Sequence, residues 1–580
     1  MKRSSLEKQA PAWLLITSVL ALCWAATLRT PFLLDDYFHL LALEKKSPQP
    51  GLRLLNTYST ERFSPQELKG FLPWWVDSSG YKFHYFRPLA SYSLKMDYAL
   101  SGKNPFGFHL TSLVLHIGCT LLLYALAISF GADRTAGVLS ALVAGLHPNN
   151  IFSVTWVSSR DILLSLFLFL LSCLCFDRFL SRDSRRLRFW GASFGFYLLG
   201  LFSKETLFFA PAILFGLALF RLDTRRAPGS RRRFDKALLY VLPFLVSSLV
   251  YIVWYFVTGH GVKTGYVTVS SELPLISNLA IAAKAFLVYV LSLLFYLPPE
   301  FSMEGPTRAV IVWALCTVGA FSALLFWKRK IVEEHSVILL SLVWVLGFIV
   351  FPLCFLPMGR LLYFSVFGYA LLIGMTLNLI LGAVRTPYRK KILWGVLVMY
   401  FVIGPALAII AAVPRINTQG RLATEDCDGK LYDFVKANPG TEHVFLMNVP
   451  TQFTAFTARM MFFLYHPEMP QRIHVLSNDS DLPLLEAKGE HTLVASNPKG
   501  IIRTGAPGFQ TRHLRPGSRC DDVPLHAEIG MLDGRNVTAI TFRFDSFLND
   551  PAYAFVGFVG QDLKRIDIKA LGNCNRLKDS

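Results

Sequence analysis

The chain has 580 residues, a formal net charge of +19 and 53% hydrophobic residues. With a mean hydropathy of +0.42, this apolar content exceeds what a water-soluble core can bury, so a bilayer must cover the remainder. A large positive charge can indicate nucleic-acid binding, but here Lys and Arg lie mostly in short loops between apolar runs. That distribution is typical of membrane topology, so we expect a multi-pass membrane protein and no nucleic-acid partner.

Apolar runs long enough to cross about 30 Å of hydrocarbon define the predicted spans. The first could instead be a cleaved signal sequence, because Lys2 and Arg3 precede it and Ala25-Ala26 lies near its end. A further run, 276–298, contains Lys284 and is typical of a helix that lies in the interface or re-enters from outside. The eleven predicted spans are 12–29, 107–130, 134–154, 156–180, 188–203, 205–221, 237–258, 308–327, 335–356, 361–383 and 392–413.

Orientation follows from the basic residues of the short loops, which favour the cytoplasmic side. Every basic cluster becomes cytoplasmic only if 276–298 does not cross. The N-terminus is then cytoplasmic, the tail is external, and a plasma or inner membrane is the expected location. The clusters are Lys2, Arg3 and Lys8; Arg182, Arg185, Arg186 and Arg188; Arg225, Arg226 and Arg231 to Arg233; Lys328 to Lys330; and Arg385, Arg389, Lys390 and Lys391.

The tail differs in character from the rest of the chain. Short β-branched or aromatic runs such as 443–446 and 537–542 alternate with helical patterns such as 431–436, which predicts a small α/β domain. We therefore expect an all-α polytopic core over residues 1–413, with a long first external loop at 30–106, and a soluble extracytoplasmic α/β domain at 414–580. Of the tail cysteines Cys427, Cys520 and Cys574, one pair could form a disulfide, with the pairing left open.

Polar groups gather at the outer ends of the predicted spans. Asp35 and Asp36 follow the first span, Arg87 lies in the first external loop, and His147 stands near the outer end of the third span. Six segments distant in sequence point such groups at one surface, as a site between helices requires. The remaining groups on this surface are Arg160, Asp161, Lys204, Glu205, Arg360 and Tyr363.

Two of these groups are adjacent pairs of opposite charge, Arg160-Asp161 and Lys204-Glu205. Each could be a structural ion pair at a helix end. Because adjacent residues on a helix point in different directions, each member is expected to find another partner.

The other groups also have structural alternatives. His147 could be a packing residue at a helix end, and Arg87 could anchor a loop helix. Asp35 and Asp36 are harder to explain structurally, since topology does not need them and two ionised acids repel each other. This pair is therefore the strongest functional candidate.

Five motifs in order carry a resemblance to a known family. They resemble the motif set of GT-C membrane glycosyltransferases, most closely the protein O-mannosyltransferase-like branch that carries tetratricopeptide repeats. The resemblance covers about residues 12–380 in architecture; the repeats are absent, and no acid precedes Arg360, where relatives commonly have one. The motifs are Leu33-Leu34-Asp35-Asp36-Tyr37; Tyr85-Phe86-Arg87-Pro88-Leu89 running to His109; Gly145-Leu146-His147-Pro148; Trp156 to Asp161; and Phe202-Ser203-Lys204-Glu205-Thr206.

The resemblance implies transfer of a sugar from a polyprenyl-phosphate carrier to a protein, glycan or lipid acceptor on the outer face. Displacement at the anomeric carbon needs a base, which Asp35 could provide with Asp36 as a supporting carboxylate; the choice between them rests on the resemblance. The cations at the depth of the donor phosphate are Arg87, Arg160, Lys204 and Arg360. Supporting positions are His147, Asp161, Glu205 and Tyr363.

No cofactor is required by the sequence. A divalent metal could bind Asp35 or Asp36, but no His or Cys stands at ligand spacing beside them, so no metal site is assigned.

Two other function classes would also place charges between helices or build an external tail. A transporter or lipid flippase typically shows paired, repeated halves, and the sequence shows no such symmetry. A non-catalytic scaffold would bind a partner through its external domain. Activity of a tail-truncated form separates scaffold from transferase, because a scaffold would lose all function whereas a transferase should keep a folded membrane core.

Overall fold

The computed structural model describes most of the chain. The described residues are 3–44, 56–76, 82–181, 187–224, 230–263, 274–296, 336–355, 357–383, 386–451, 454–469, 472–502, 514–522, 524–533 and 536–568. The predicted span 308–327, the basic clusters at 182–186, 225–226 and 328–330, and Arg385 lie outside them.

The described part is mostly helical. Short 3₁₀ turns join several helices, notably Val157–Ser159, Glu205–Phe209 and Gly359–Leu362. The helices are α1 Arg3–Trp24, α2 Asp36–Glu44, α3 Pro65–Phe71, α4 Pro88–Ser101, α5 Pro105–Ser129, α6 Arg134–Gly145, α7 Ile151–Thr155, α8 Arg160–Ser181, α9 Leu187–Leu201, α10 Ala210–Thr224, α11 Ser230–Val257, α12 Leu275–Phe295, α13 Ser336–Val350, α14 Tyr363–Ala383, α15 Pro387–Val398, α16 Gly404–Ala423, α17 Glu425–Ala437 and α18 Thr454–Tyr465.

Within the described ranges, nine helical segments are long and apolar enough to cross a bilayer. The prediction of a multi-pass helical membrane protein is thereby confirmed. Two predicted spans form helices that are not among these nine segments: α6 has 12 residues and α9 has 15, or about 18 and 22 Å at 1.5 Å per residue. Helix α6 ends at Gly145 because Pro148 follows and starts a 3₁₀ turn, so the predicted continuation to 154 is broken.

Helix α12 corresponds to the segment 276–298, which the loop charges predict not to cross the membrane. It is one continuous helix of 21 residues and is apolar enough to span. Near its C-terminal end it contacts the turn that follows His147, since Ser292 Oγ donates to Asn149 Oδ1 at 2.8 Å. The orientation of the chain and the status of α12 remain predictions.

Cysteine accessibility can test the predicted orientation. We expect a cysteine at Lys488 in the tail to react with an impermeant thiol reagent added from outside, and one at Arg231 to react only from the cytoplasmic side. Both positions are exposed, so reagent access is not limited by folding. Labelling of both from the same side, in a background without the native cysteines, would contradict the predicted topology.

The apolar helices form two buried clusters, one that includes α1 and α16 and one around α8. Its residues Leu163, Leu166, Phe169 and Leu170 are buried in a cluster to which α5, α6, α10, α13 and α14 also contribute. Arg160 begins α8, and Lys204 and Arg360 lie shortly before α10 and α14, so this packing fixes the relative positions of these charged residues.

The tail contains two sheets, as the α/β pattern of the sequence predicts. The first has the strand order β11-β10-β3-β4, with β10, β3 and β4 mutually parallel where they pair. The second is antiparallel, with the order β5-β6-β9-β8-β7. The strands are β3 His443–Leu446, β4 Arg472–Val475, β5 Leu484–Ala487, β6 Thr492–Ser496, β7 Arg519–Asp522, β8 Leu525–Asp533, β9 Asn536–Phe544, β10 Tyr553–Val559 and β11 Asp562–Arg565, preceded in the chain by β1 Lys82–His84 and β2 Gly261–Lys263, which pair with each other.

The tail and the loop residues 56–76 share one apolar core. Trp75 of the loop packs edge-on against Phe456 of α18 at 6.4 Å between ring centroids, and Trp74 contacts Phe542 of β9 at 5.7 Å. The predicted boundary near 413 therefore does not separate two independent apolar cores, although it stays untested as a domain limit. Removal of the tail would expose the apolar side of the loop, which weakens truncation as a test of the scaffold hypothesis.

The loop contribution to this core can be measured by truncating Trp75. Trp75 is buried, so we expect Trp75→Ala to cost about 3 to 5 kcal/mol of stability through lost burial and the cavity left behind. The measurement is thermal unfolding in detergent together with protease resistance of the tail. The control is Met531→Ala at an exposed position of β8; equal unfolding curves for parent and Trp75→Ala would show that the loop and the tail are not mutually stabilised.

The tail cysteines bear on the open disulfide question. Cys427 is a buried free thiol, so it forms no disulfide with Cys520. Cys574 lies outside the described residues.

Candidate active site

The first candidate group lies on a tight turn between the first span and α2. The turn is closed by the amide of Asp36, which donates to the carbonyl of Leu33 at 2.9 Å. Leu34 has a positive φ of 39°, a conformation that costs a non-glycine residue roughly 1 to 3 kcal/mol and must be held by its surroundings. The turn therefore presents Asp35 from a constrained backbone.

Asp36 holds this turn in place. Its side chain is 1% exposed, and its carboxylate accepts from the Leu33 amide at 2.9 Å and from the Ser158 amide and hydroxyl at 2.7 and 2.6 Å. Burial raises the pKa of Asp36 to about 7, against the effect of these hydrogen bonds. The hydrogen bonds from Ser158 thus link the turn to the 3₁₀ turn Val157–Ser159, and the hydrogen bond from Leu33 closes the turn itself.

Asp35 differs from its neighbour in both exposure and contacts. Its side chain is partly exposed, and among the described residues no hydrogen bond or ion pair to its carboxylate is found. Burial of the surrounding turn raises the pKa of Asp35, while the charge of Arg360 lowers it. The result is an available carboxylate with more basicity than a free aspartate.

Trp156 connects the turn that carries Asp35 with Arg360. The indole Nε1 donates to the Leu33 carbonyl at 3.2 Å, and the guanidinium carbon of Arg360 lies 4.2 Å from the ring centroid. Arg360 is partly exposed, and no carboxylate within the described residues forms an ion pair with it. The cation–π contact therefore positions a guanidinium whose charge is not neutralised.

A second group consists of four buried charges. The Arg87 guanidinium donates to both carboxylate oxygens of Glu205 and lies 2.7 Å from Asp161. Lys204 Nζ contacts the same Asp161 oxygen at 2.6 Å. Two cations and two acids cancel, so the group is neutral as a whole, and each cation already has a carboxylate partner.

Tyr58 joins the two groups. Its hydroxyl donates to the Ser158 carbonyl at 3.1 Å, on the residue that holds Asp36. The Arg87 guanidinium carbon lies 5.3 Å from the Tyr58 ring and 3.8 Å from that of Tyr85. The turn and the neutral charge group are thus neighbouring parts of one site.

Arg160 has a different set of partners. It is completely buried, and its guanidinium donates to Asp97 at 2.6 Å, to the Phe108 carbonyl at 2.6 Å and to Ser93 at 2.9 Å. These contacts link α8 to α4 and α5. A phosphate could reach this cation only if these contacts were broken. Arg160 therefore fits the alternative of a structural ion-pair residue at a helix end.

His147 and Tyr363 are also buried among structural partners. The His147 Nδ1 accepts from the Asn149 amide and Nε2 bonds the Leu293 carbonyl, both at 3.2 Å. The Tyr363 hydroxyl bonds His116 Nδ1 at 2.7 Å. Both residues fix helix ends around the site, and neither contacts the charged groups directly.

Sequence reasoning assigned no role to Trp156, Ser158 or Tyr58, although each organises the site. Trp156 and Ser158 belong to a motif that was recognised for its charges at Arg160 and Asp161. The sequence feature that could have indicated their role is that a Trp and a Ser stand just before a helix that begins with two charged residues. Tyr58 carried no comparable signal.

No family model matches the chain. Among curated proteins, the protein O-mannosyl-transferase TMTC1 of mouse is 29% identical over 174 residues, which is 30% of this chain and 17% of that protein. The corresponding TMTC2 of mouse is 32% identical over 107 residues, or 18% of this chain and 13% of that protein. This chain resembles the protein O-mannosyltransferase branch of GT-C membrane glycosyltransferases. The matches span less than a fifth of each relative's length, so the resemblance describes a part of those proteins.

Two solved structures show a distant similarity. An oligosaccharyltransferase of Archaeoglobus fulgidus has a TM-score of 0.42 at 12% identity, covering 79% of this chain and 63% of that one. ArnT from Cupriavidus metallidurans, solved with undecaprenyl phosphate, has a TM-score of 0.41 at 12% identity, covering 79% of this chain and 85% of that one.

In the described part of this chain, no group of three or more His, Cys, Asp or Glu residues could hold a metal ion.

Proposed function

We propose that the chain is a membrane glycosyltransferase that moves a sugar from a polyprenyl-phosphate donor to an acceptor on the extracytoplasmic face. The observation that carries the proposal is that Trp156 contacts both the turn that carries Asp35 and the guanidinium of Arg360. A partly exposed carboxylate and an unneutralised guanidinium lie at the outer ends of apolar helices, where a lipid phosphate and its sugar would be held.

The chemistry needs one base and one cation. The acceptor hydroxyl attacks the anomeric carbon, the bond from that carbon to the phosphate oxygen breaks, and polyprenyl phosphate leaves. Asp35 accepts the hydroxyl proton, and Arg360 neutralises the phosphate through charge-assisted hydrogen bonds. Asp36 positions Asp35 by holding the turn.

A lipid-linked donor is favoured over a nucleotide sugar by location and by sequence. An external site has no access to cytosolic nucleotide sugars. The chain also lacks a glycine-rich phosphate loop in a strand-to-helix context. The carrier's isoprenoid tail would stay in the bilayer while its phosphate reached the helix ends.

Arg360 is the phosphate ligand that the site supports best. Arg87 and Lys204 remain candidates for the same phosphate, but each would have to exchange or share a carboxylate partner. Their buried ion pairs would keep both cations charged and oriented before the donor arrives. We propose that Asp161 and Glu205 serve this positioning role.

The role of Lys204 is tested by Lys204→Ala, which removes one cation and leaves Asp161 with Arg87. Loss of a phosphate contact should lower donor affinity by roughly tenfold to a hundredfold, measured by titration with a polyprenyl-phosphate lipid. Lys204→Arg keeps the charge and should bind within a few-fold of the parent. Parent-like binding by Lys204→Ala would make Lys204 a structural ion-pair partner only.

Sugar and acceptor can be found together by mass spectrometry of outer-surface glycans, glycolipids and glycoproteins from cells with and without the protein. The proposal expects one class of hexose-bearing product to disappear with the protein. An unchanged glycan profile alongside altered transport of a lipid or solute would favour the flippase alternative.

A further inference from the structure

We propose that a cleft between the outer ends of α1 and α16 binds the phosphate of an anionic phospholipid headgroup. The cleft has a volume of about 520 Å³, and Arg29, Asn417 and Arg421 lie along it. A cavity of this size is in the range of small-molecule sites. The proposal is independent of the transferase function.

The two helices form a continuous path from the bilayer to the cleft. Ile16 and Leu20 of α1 share a buried cluster with Ile409 and Val413 of α16, so the helices pack along their apolar length. Leu22 of α1 is 77% exposed and Leu407 of α16 is 60% exposed. Acyl chains can cover these exposed residues while the headgroup reaches the cleft at the helix ends.

The cleft carries two arginines, Arg29 and Arg421, that membrane topology does not explain. Arg29 is exposed, and no ion pair of Arg29 is found within the described residues. Among the described residues, Arg421 forms an ion pair with Glu425 at 3.9 Å, with both side chains more than half exposed, and such a pair contributes little stability in water. In the predicted orientation both arginines lie outside, where the positive-inside rule gives them no role.

Side-chain hydrogen bonds fix the walls of the cleft relative to each other. Asn417 Nδ2 donates to the Ala26 carbonyl at 2.8 Å, and Asn417 Oδ1 accepts from the Thr30 hydroxyl at 2.7 Å. The two guanidinium groups are therefore carried by one connected frame. One guanidinium group can donate two parallel hydrogen bonds to two oxygens of the same phosphate. A choline headgroup would bring a further positive charge to the cleft and is therefore disfavoured.

The test compares lipid retention by the full-length protein. The protein is delipidated in detergent, incubated with phosphatidylglycerol or phosphatidylcholine, and examined by native mass spectrometry. The parent should retain phosphatidylglycerol about tenfold more than phosphatidylcholine, the magnitude expected for one to two charge-assisted contacts. The double variant Arg29→Gln with Arg421→Gln should lose this preference.

Two controls separate the possible causes. Arg415→Gln removes an exposed cation of α16 that does not line the cleft and should keep the preference. Arg29→Lys with Arg421→Lys keeps the charges and should retain most of it, which excludes misfolding as the cause of a loss. Equal loss in Arg415→Gln, or full retention in the Gln double variant, would overturn the site. Displacement of the lipid by millimolar inorganic phosphate would overturn the lipid assignment in favour of a free-phosphate site.

Discussion

Replacement of Asp35 by Asn is expected to lower turnover by about a hundredfold to ten-thousandfold, the range of a lost general base. Asn keeps the size of the side chain and removes its ability to accept a proton. Because the Asp35 carboxylate makes no hydrogen bond or ion pair with other described residues, the substitution should leave the fold and donor binding unchanged. The measurement is single-turnover transfer from a polyprenyl-phosphate donor at saturating donor concentration.

The matched control is Asp36→Asn. Asp36 accepts three hydrogen bonds from Leu33 and Ser158, and an amide oxygen cannot replace both carboxylate oxygens. This variant should lose thermal stability as well as turnover, whereas Asp35→Asn should lose turnover alone. Near-normal turnover in Asp35→Asn with a collapse in Asp36→Asn would reassign the base to Asp36.

Arg360→Gln is expected to weaken donor binding by roughly tenfold to a hundredfold, because it removes a charge-assisted phosphate contact. Arg360 is also the cation that lowers the pKa of Asp35. A base works when it is ionised, so turnover should fall as the pH drops through the Asp35 pKa. Without the cation that pKa rises, and the acid limb of the rate profile should move to higher pH.

Arg360→Lys is the control for this prediction. It keeps the charge near Asp35, so the acid limb should stay where it is in the parent. It loses the planar contact with Trp156 and the bidentate geometry, so donor binding should still weaken. An acid limb that does not move in Arg360→Gln would show that Arg360 does not act on the catalytic base.

The sequence predicted the membrane class, most helices and the α/β character of the tail, because each depends on local hydropathy or periodicity. It also brought Asp35, Arg87, Lys204 and Arg360 to one face, since loop charges constrain which helix ends lie together. These are consequences of chain topology, and they need no knowledge of side-chain packing.

Pairing within the site could not be predicted in the same way. Neighbours in sequence were expected to find other partners, and they do: Asp161 pairs with Lys204, and Glu205 pairs with Arg87. Which partners they find depends on how α8 and the turn at Glu205–Phe209 pack, and that is set by the apolar core. The separation of Arg160 from the other cations also depends on packing. Its carboxylate partner is Asp97, and no sequence pattern indicates that these two residues pair.

The apolar core shared by the loop and the tail also could not be predicted from local sequence patterns. Trp75 and Phe456 are far apart in sequence, and each looks like an ordinary apolar residue of its own segment. Their contact arises only when the loop folds over α18. The tail therefore supports the surface next to the candidate site as well as forming its own sheets.

The most direct test of the central claim is donor turnover by the purified full-length chain in lipid vesicles. Polyprenyl-phosphate lipids carrying different labelled sugars are supplied together with an extract of acceptors, and release of polyprenyl phosphate is followed by mass spectrometry. The account predicts release with one sugar, coupled to a labelled acceptor product, and loss of both in Asp35→Asn at equal protein abundance. Release that is equal in the parent and in Asp35→Asn, or no release with any lipid-linked sugar, would contradict it.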